Sequence, residues 1–405
     1  TIIGSTCLIT YDSDDGRRNY PITRDYHPTL FGLELGVEDT LAFQEQDTVV
    51  AACATSALWS VFQGTGMLFH HRIPSPIEIT QAIEERVPSE SRNFPNHGLS
   101  KLQMAQAVRS VGLEPLFVAV KDHLNLRSTL YAYLRAHIPV LLGIQLYDVS
   151  EEEARFLGSH AVAVTGYSLG SKEAVPLGTS GMLLVATRID ELYVHDDQVG
   201  PFARMKFDGK LVQLNVNGRK MPFPSLSTGW FDKNRKRGSV RALPETVLLP
   251  LHHKIRILFK TVLQTTNYFD DSVIEPLRVG SDRTGLTERL RWDIYLTTTN
   301  DLKCNVRTMQ HLDGEYRRML LTQHFPRFIW RAAATCAGKP VIELLYDATD
   351  IEQGRIFIRA LEHQPTLARL LRLVVDTPLS PEYCQKYPML VPILDWFAKN
   401  PVSPA

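Results

Sequence analysis

Between Thr55 and Asp196 the apolar period of the chain changes from helical to alternating, and that order restricts the fold more than any other feature. Apolar residues recur at helical spacing from Thr55 to about Met67. Ser75-Pro76-Ile77-Glu78 opens a helix of about ten residues, with proline at its first position and a carboxylate in its first turn. His97-Gly98-Leu99-Ser100 precedes another, Lys101 to Val111, stopped by Gly112. Leu113 to Val120 reads as a strand, Leu124 to Ala136 as a helix, and Val140 to Leu146 as a buried strand. A helical stretch followed by strands that continue into one sheet predicts an α+β domain.

Three reactive residue types fall at the ends of these elements. Ala51-Ala52-Cys53-Ala54-Thr55-Ser56-Ala57-Leu58-Trp59 places a thiol where small residues give way to the first helical pattern. A cysteine in a first helical turn lies near unpaired N–H groups and the positive end of the helix dipole, which favour thiolate over thiol. The competing reading is a buried structural cysteine. Gly158-Ser159-His160-Ala161-Val162-Ala163-Val164-Thr165-Gly166-Tyr167 sets His160 at the start of an alternating, β-branched run. Leu192-Tyr193-Val194-His195-Asp196-Asp197-Gln198-Val199-Gly200-Pro201 is a second short strand that ends in a carboxylate pair and a Gly-Pro turn. Thiol, imidazole and carboxylate have complementary tasks: the imidazole takes the thiol proton, the carboxylate fixes the ring's tautomer, and the thiolate attacks a carbonyl. Gln46, seven residues before Cys53, is placed to donate with the Cys53 backbone N–H to an oxyanion, and Gln44 is the weaker candidate.

His160-Ala161-Val162-Ala163-Val164-Thr165-Gly166-Tyr167 is similar to the His-Ala-Val-x-x-x-Gly-Tyr stretch of papain-like cysteine peptidases. Gln46 followed by Cys53 on a helix resembles their oxyanion glutamine and nucleophile. The likeness covers about residues 40 to 205 and is nearest to the bacterial peptidases that remove double-glycine leaders. It implies a helical lobe packed on an antiparallel sheet lobe, with a catalytic cleft between them, no cofactor and no metal. It also implies Cys53 as nucleophile, His160 as base, Asp196 as orienting acid and Gln46 in the oxyanion hole. The chain departs from the family in three places. Ala-Cys-Ala-Thr-Ser-Ala-Leu-Trp replaces the usual nucleophile surroundings, and Asp197 stands where proline is common, leaving Asp196 and Asp197 both eligible. The interval between His160 and Asp196 is long, and its Ser168 to Gly181 part reads as a hairpin insertion. The same triad would also run transglutaminase-like acyl transfer or deamidation, and a papain fold retained only for binding is the reading from a different class.

Composition narrows the partners. Forty-four basic residues balance forty-four acidic ones in 405, so no global field draws nucleic acid, anionic lipid or acidic substrates. The cluster Lys233-Asn234-Arg235-Lys236-Arg237-Gly238 lacks aromatic interleaving beyond it and reads as a solvated loop. Cysteines at 7, 53, 304, 336 and 384 fit neither a disulfide framework nor a CxxC zinc pair, which points to a reducing, cytoplasmic setting. No apolar run approaches the roughly 18 residues of a spanning helix.

Residues 1–40 read as an N-terminal extension, 41–220 as the catalytic domain and 245–405 as a C-terminal α+β domain that would select the substrate or bind a regulatory protein. Lys210 to Val216 reads as a strand, Met221 to Arg241 as loop-rich, and His252 to about Phe269 as one long helix. Arg289 to Thr298 reads as a strand, Asp313 to Ala334 as largely helical, and Pro340 to Asp347 as a buried strand. The aromatic group from Phe325 to Trp330 reads as core.

Overall fold

The small residues that follow Cys53 decide how the first helix sits on its sheet. The computed structural model describes residues 6–45, 53–84, 99–177, 181–280, 284–350, 356–375 and 385–400; Gln46 and Cys384 lie outside them. The chain divides into two units, one of residues 1–171 and 189–253, the other of 172–188 and 254–405. The second unit begins at Lys254 rather than at 245, and it claims Lys172–Arg188 from the interval expected as a local hairpin. Both units are mixed α+β with almost wholly antiparallel sheets.

The first unit opens with β1 (Arg18–Asn19), β2 (Arg24–Tyr26), β3 (Thr29–Leu30), β4 (Leu33–Glu34) and β5 (Val37–Thr40), where β2 pairs with β5 and β3 with β4. Three helices follow: α1 (Cys53–Phe69), α2 (Pro76–Glu84) and α3 (Lys101–Ser110). Their starts are written locally. The Glu78 carboxylate accepts from the Ser75 N–H (2.8 Å) and hydroxyl (2.9 Å), and Ser100 and Gln103 form a reciprocal capping box. Then come β6 (Glu114–Ala119), α4 (His123–Leu134), β7 (Val140–Asp148) and β8 (Arg155–Leu169). The chain passes through the second unit's β9 (Leu183–Leu184) and returns as β10 (Ile189–Asp196) and β11 (Gly200–Lys206). β12 (Leu211–Val216) and β13 (Arg219–Pro224) form a hairpin, and β14 (Leu226–Ser227) and β15 (Val240–Leu251) close the unit.

Eight of these strands make one sheet in the order β11-β10-β8-β7-β15-β14, with β1 added beside β8 and β6 beside β15. Its two ends approach each other where the Lys206 N–H donates to Ser227 Oγ (3.0 Å). α1 packs on this sheet through Ala54, Ala57, Leu58 and Val61, against Leu141 of β7, Ala161 and Ala163 of β8 and Leu248 of β15. Alanines on both sides let the backbones approach closely, while burial of Leu58, Val61 and Phe62 contributes roughly 1.5–3 kcal/mol each.

Two expectations are corrected in this unit. The stretch from Met221 to Arg241 holds β13, β14 and the start of β15, whose ladder runs from Val240. The helix expected from His252 begins only at Phe259, because Val247 to Leu251 pair with β6 and β7 and a turn follows.

The second unit carries α5 (Phe259–Phe269), a π turn and α6 (Glu275–Gly280) ahead of β16 (Arg291–Thr298). α7 (Thr299–Thr308), α8 (Gly314–Thr322), β17 (Phe328–Cys336), β18 (Lys339–Asp347), β19 (Phe357–Glu362), α9 (Pro365–Val375) and α10 (Val391–Lys399) complete it. Its sheet runs β19-β18-β17-β16-β9, with β9 parallel to β16. Leu302, Val306, Tyr316 and Leu320 of α7 and α8 pack on Ile329, Leu345 and Leu361. The helical reading of Asp313 to Ala334 fails beyond Thr322. Phe328 to Cys336 lies between β16 and β18, where pairing on both sides overrides the helix preference of its alanines. Phe325, Phe328 and Trp330 are buried in the core.

Candidate active site

Cys53 is the first residue of α1, partly exposed, beside a cleft of about 400 Å³ lined also by Met104, Gly143, Ser159, His160 and Thr246. The cleft therefore draws its walls from the helices and from the sheet of the first unit. His160 enters from β8, where it stands opposite Ile144 of β7, and only 6% of its side chain is exposed.

One imidazole serves two partners. His160 Nε2 donates to Asp196 Oδ1 (3.1 Å), and the same ring hydrogen-bonds the Cys53 side chain. Burial alone would lower the imidazole's affinity for its proton, but hydrogen bonds and charge from Asp196 and Cys53 prevail and push it up to about 10. His160 therefore carries its proton across the neutral range. Asp196 is equally well held. Burial would raise its carboxyl, yet His160, Trp230 Nε1–H (2.8 Å to Oδ2) and the Gln198 N–H (3.0 Å to Oδ1) keep it below the ordinary carboxylate range.

Local irregularity aims these groups. The β10 register slips against β8 between Tyr193 and Val194, and against β11 between Val194 and Asp196. Such bulges re-aim side chains at a strand end, here turning Asp196 and Asp197 both toward His160. Asp197 Oδ1 lies 3.5 Å from Nε2, but neither Asp197 oxygen has a hydrogen-bond partner, and burial raises this carboxyl to about 6. Between the two carboxylates left open by the sequence, Asp196 makes the hydrogen bond.

Two contributors were not visible in the sequence. Trp230 reaches Asp196 from the segment after β14, and its ring meets the His160 ring edge to face at 5.1 Å. It is set there by Thr228, whose hydroxyl donates to Val240 O and accepts from the Trp230 N–H. The only sequence signal was a tryptophan in a loop beside charged residues. His195 is the second. Its Nε2–H donates to Leu41 O (2.9 Å) while Nδ1 accepts the Phe202 N–H (3.2 Å), and full burial lowers its proton affinity to about 4. This neutral ring ties the segment at Leu41 to β10, and Ser60 of α1 holds the same segment through Ala42 O. Gln44 is thereby brought to the crevice that Cys53 and Asp197 line. Gln46, the first candidate for the oxyanion donor, lies outside the described residues.

The basic loop at Lys233 is closed by Asp232, whose carboxylate accepts from the Asn234 and Lys236 N–H groups (2.8 Å each) and from the Ser239 hydroxyl (2.7 Å). Among the described residues no helix is long and apolar enough to cross a membrane. No protein-family model and no curated protein matches this sequence.

Proposed function

We propose that the chain is a cysteine peptidase with a papain-like catalytic unit, cleaving a peptide or isopeptide bond in a protein substrate. The observation that carries this reading is the single buried imidazole joined both to a thiol at a helix N-terminus and to a buried aspartate, at the wall of a cleft. A structural histidine needs no nucleophile, and a structural cysteine needs no base.

In the proposed reaction the Cys53 thiolate adds to the substrate carbonyl, and His160 delivers its proton to the leaving amine as the C–N bond breaks. A water then gives its proton to His160 and attacks the thioester carbonyl, breaking the C–S bond and releasing the acid. Asp196, itself held by Trp230, keeps the ring oriented through both steps. The Cys53 backbone N–H and the amide of Gln46, or of Gln44 at the crevice, are the proposed oxyanion donors. A reducing, cytoplasmic setting suits a free nucleophile, and Cys7, Cys53, Cys304 and Cys336 are all free thiols. The second unit is the proposed selector of the substrate or seat of a regulatory protein.

Exposure of a proteome-derived peptide library to the protein, with sequencing of new termini, tests the reading alongside iodoacetamide labelling of each cysteine between pH 6 and 8. New termini absent with Cys53→Ala, and Cys53 labelling that outpaces Cys7 and Cys304 and slows in His160→Ala, are expected. Absence of cleavage together with labelling indifferent to His160 overturns it.

A further inference from the structure

We propose that His160, Asp196 and Asp197 form a binding site for a divalent transition-metal ion, Zn²⁺ in the first instance, whose occupation switches the thiol site off. The three residues offer one nitrogen and two carboxylate oxygens within 4.8 Å of one another, and all three are buried. Nε2 lies 3.1 Å from Asp196 Oδ1 and 3.5 Å from Asp197 Oδ1. Ligands held about 2.0–2.2 Å from a tetrahedral zinc stand roughly 3.3–3.5 Å apart, so the spacing suits the ion with little movement.

The independent observation is Asp197. Its residue is 4% exposed, it faces Nε2, and neither of its oxygens accepts a hydrogen bond from another residue. A buried carboxylate without a donor is costly, and a structural role would have supplied one. The charge balance points the same way. One ring can offset at most one of the two carboxylates, whereas a divalent ion can offset both. One imidazole and two carboxylates form a borderline-to-hard donor set that fits Zn²⁺, Co²⁺ or Mn²⁺. Trp230 Nε1–H and the Gln198 N–H already hold Asp196, as outer hydrogen bonds hold a ligating carboxylate.

The predicted loss of turnover rests on the proposed peptidase reaction; the metal site does not. A ring that binds a metal through Nε2 can release its Nδ1 proton only by becoming imidazolate, so it no longer delivers a proton to the leaving amine. This site is on the carboxylate side of the ring, at Nε2, and is separable by experiment from one at Nδ1.

The test uses the full chain as Cys53→Ser, which removes the thiol as a ligand and makes no use of activity. Calorimetric titration with Zn²⁺ is expected to give one site per chain, weakened at least tenfold when Asp197→Asn is added. Histidine-selective ¹⁵N NMR of the Cys53→Ser protein is expected to show the His160 Nε2 resonance, and not Nδ1, shifting on metal addition. That readout needs no second variant, so it stands even where Asp197→Asn fails to fold. No uptake in Cys53→Ser, affinity indifferent to Asp197 in a folded double variant, or a shift at Nδ1 each overturns the proposal. Absence of peptide cleavage by the metal-free unsubstituted protein, with Cys53→Ser still binding zinc, would instead remove the peptidase reading alone.

Discussion

Each unit buries a charged cluster with a histidine beside it, and the two clusters are balanced differently. In the second unit Arg331 of β17 forks onto Glu343 of β18, Nε to Oε1 at 2.5 Å and Nη2 to Oε2 at 3.1 Å. His363 lies 3.9 Å from the same carboxylate and pairs with His311 at 2.8 Å. Burial would raise the Glu343 carboxyl, but Arg331 and His363 hold it down to about 2, and Arg331 sits over the Tyr295 ring at 5.4 Å. One cation meets one anion in fork geometry across adjacent strands. In the first unit two carboxylates meet one imidazole, one of them has no donor, and the same ring addresses a thiol beside a cleft. Buried charge by itself therefore does not mark a site. The first cluster differs in having a second carboxylate in excess and a thiol beside it.

The largest expected effects separate the clusters by chemistry. Cys53→Ala should abolish cleavage, and His160→Ala should lower kcat/KM by about 10³-fold or more, since the members of a triad act as a unit. Glu343→Gln should leave the iodoacetamide rate of Cys53 unchanged; a change there would mean that the two clusters communicate.

Next comes stability. Glu343→Gln leaves Arg331 buried without its counter-charge, for which about 3–5 kcal/mol of destabilisation is expected in urea unfolding. Asp197→Asn should instead stabilise the chain by roughly 1–2 kcal/mol at pH 7.5, because it removes a carboxylate that is ionised there at a cost.

The pH dependence should have opposite signs. Asp197 has a folded value of about 6, above its unfolded one, so its unfavourable contribution is complete above pH 6 and fades as pH falls toward about 4. The gain from Asp197→Asn should fade over that window. Glu343, at about 2, lies below its unfolded value, so its stabilisation is complete above about pH 4.5 and is lost as pH falls toward 2. Unfolding midpoints followed from pH 8 to 3 for each variant check both signs.

The smallest effect tests the support of Asp196. Trp230→Phe keeps a ring against His160 but removes a donor to a buried carboxylate, for which roughly a tenfold fall in kcat with little change in KM is expected. An equal fall in Trp230→Ala and Trp230→Phe would identify the indole N–H as the cause, and a fall only in Trp230→Ala would identify packing.

What could be read from the sequence was local. Cys53 before an apolar helix, His160 in an alternating run and Asp196 at a strand end each announce themselves within ten residues, although His160 is buried in the middle of β8, which starts at Arg155, and not at the exposed strand end that the run suggests. The capping of α2 and α3 is also written in adjacent side chains. What escaped depends on partners far along the chain. Trp230 meets Asp196 across 34 positions, and His195 meets Leu41 across 154. Val247 to Leu251 is an apolar run whose strand identity comes from β6 and β7, and Ala332-Ala333-Ala334 becomes strand only between β16 and β18. Strand register favours Asp196 over Asp197 in the sequence, but the two bulges that turn both carboxylates toward His160 are not encoded in any periodicity.

The passage of Lys172–Arg188 through the second unit has a consequence for synthesis. The strands of His160 and Asp196 pair with each other and both precede the bulk of the second unit in the chain. The connection between them then waits, since β9 finds its neighbour only when Arg291 and Trp292 have been made. A chain released after His253 would hold the thiol, the imidazole and both carboxylates, yet would carry β9 without its sheet neighbour β16. Translation of the residues after His253 thus supplies the partner for a segment threaded through the middle of the first unit.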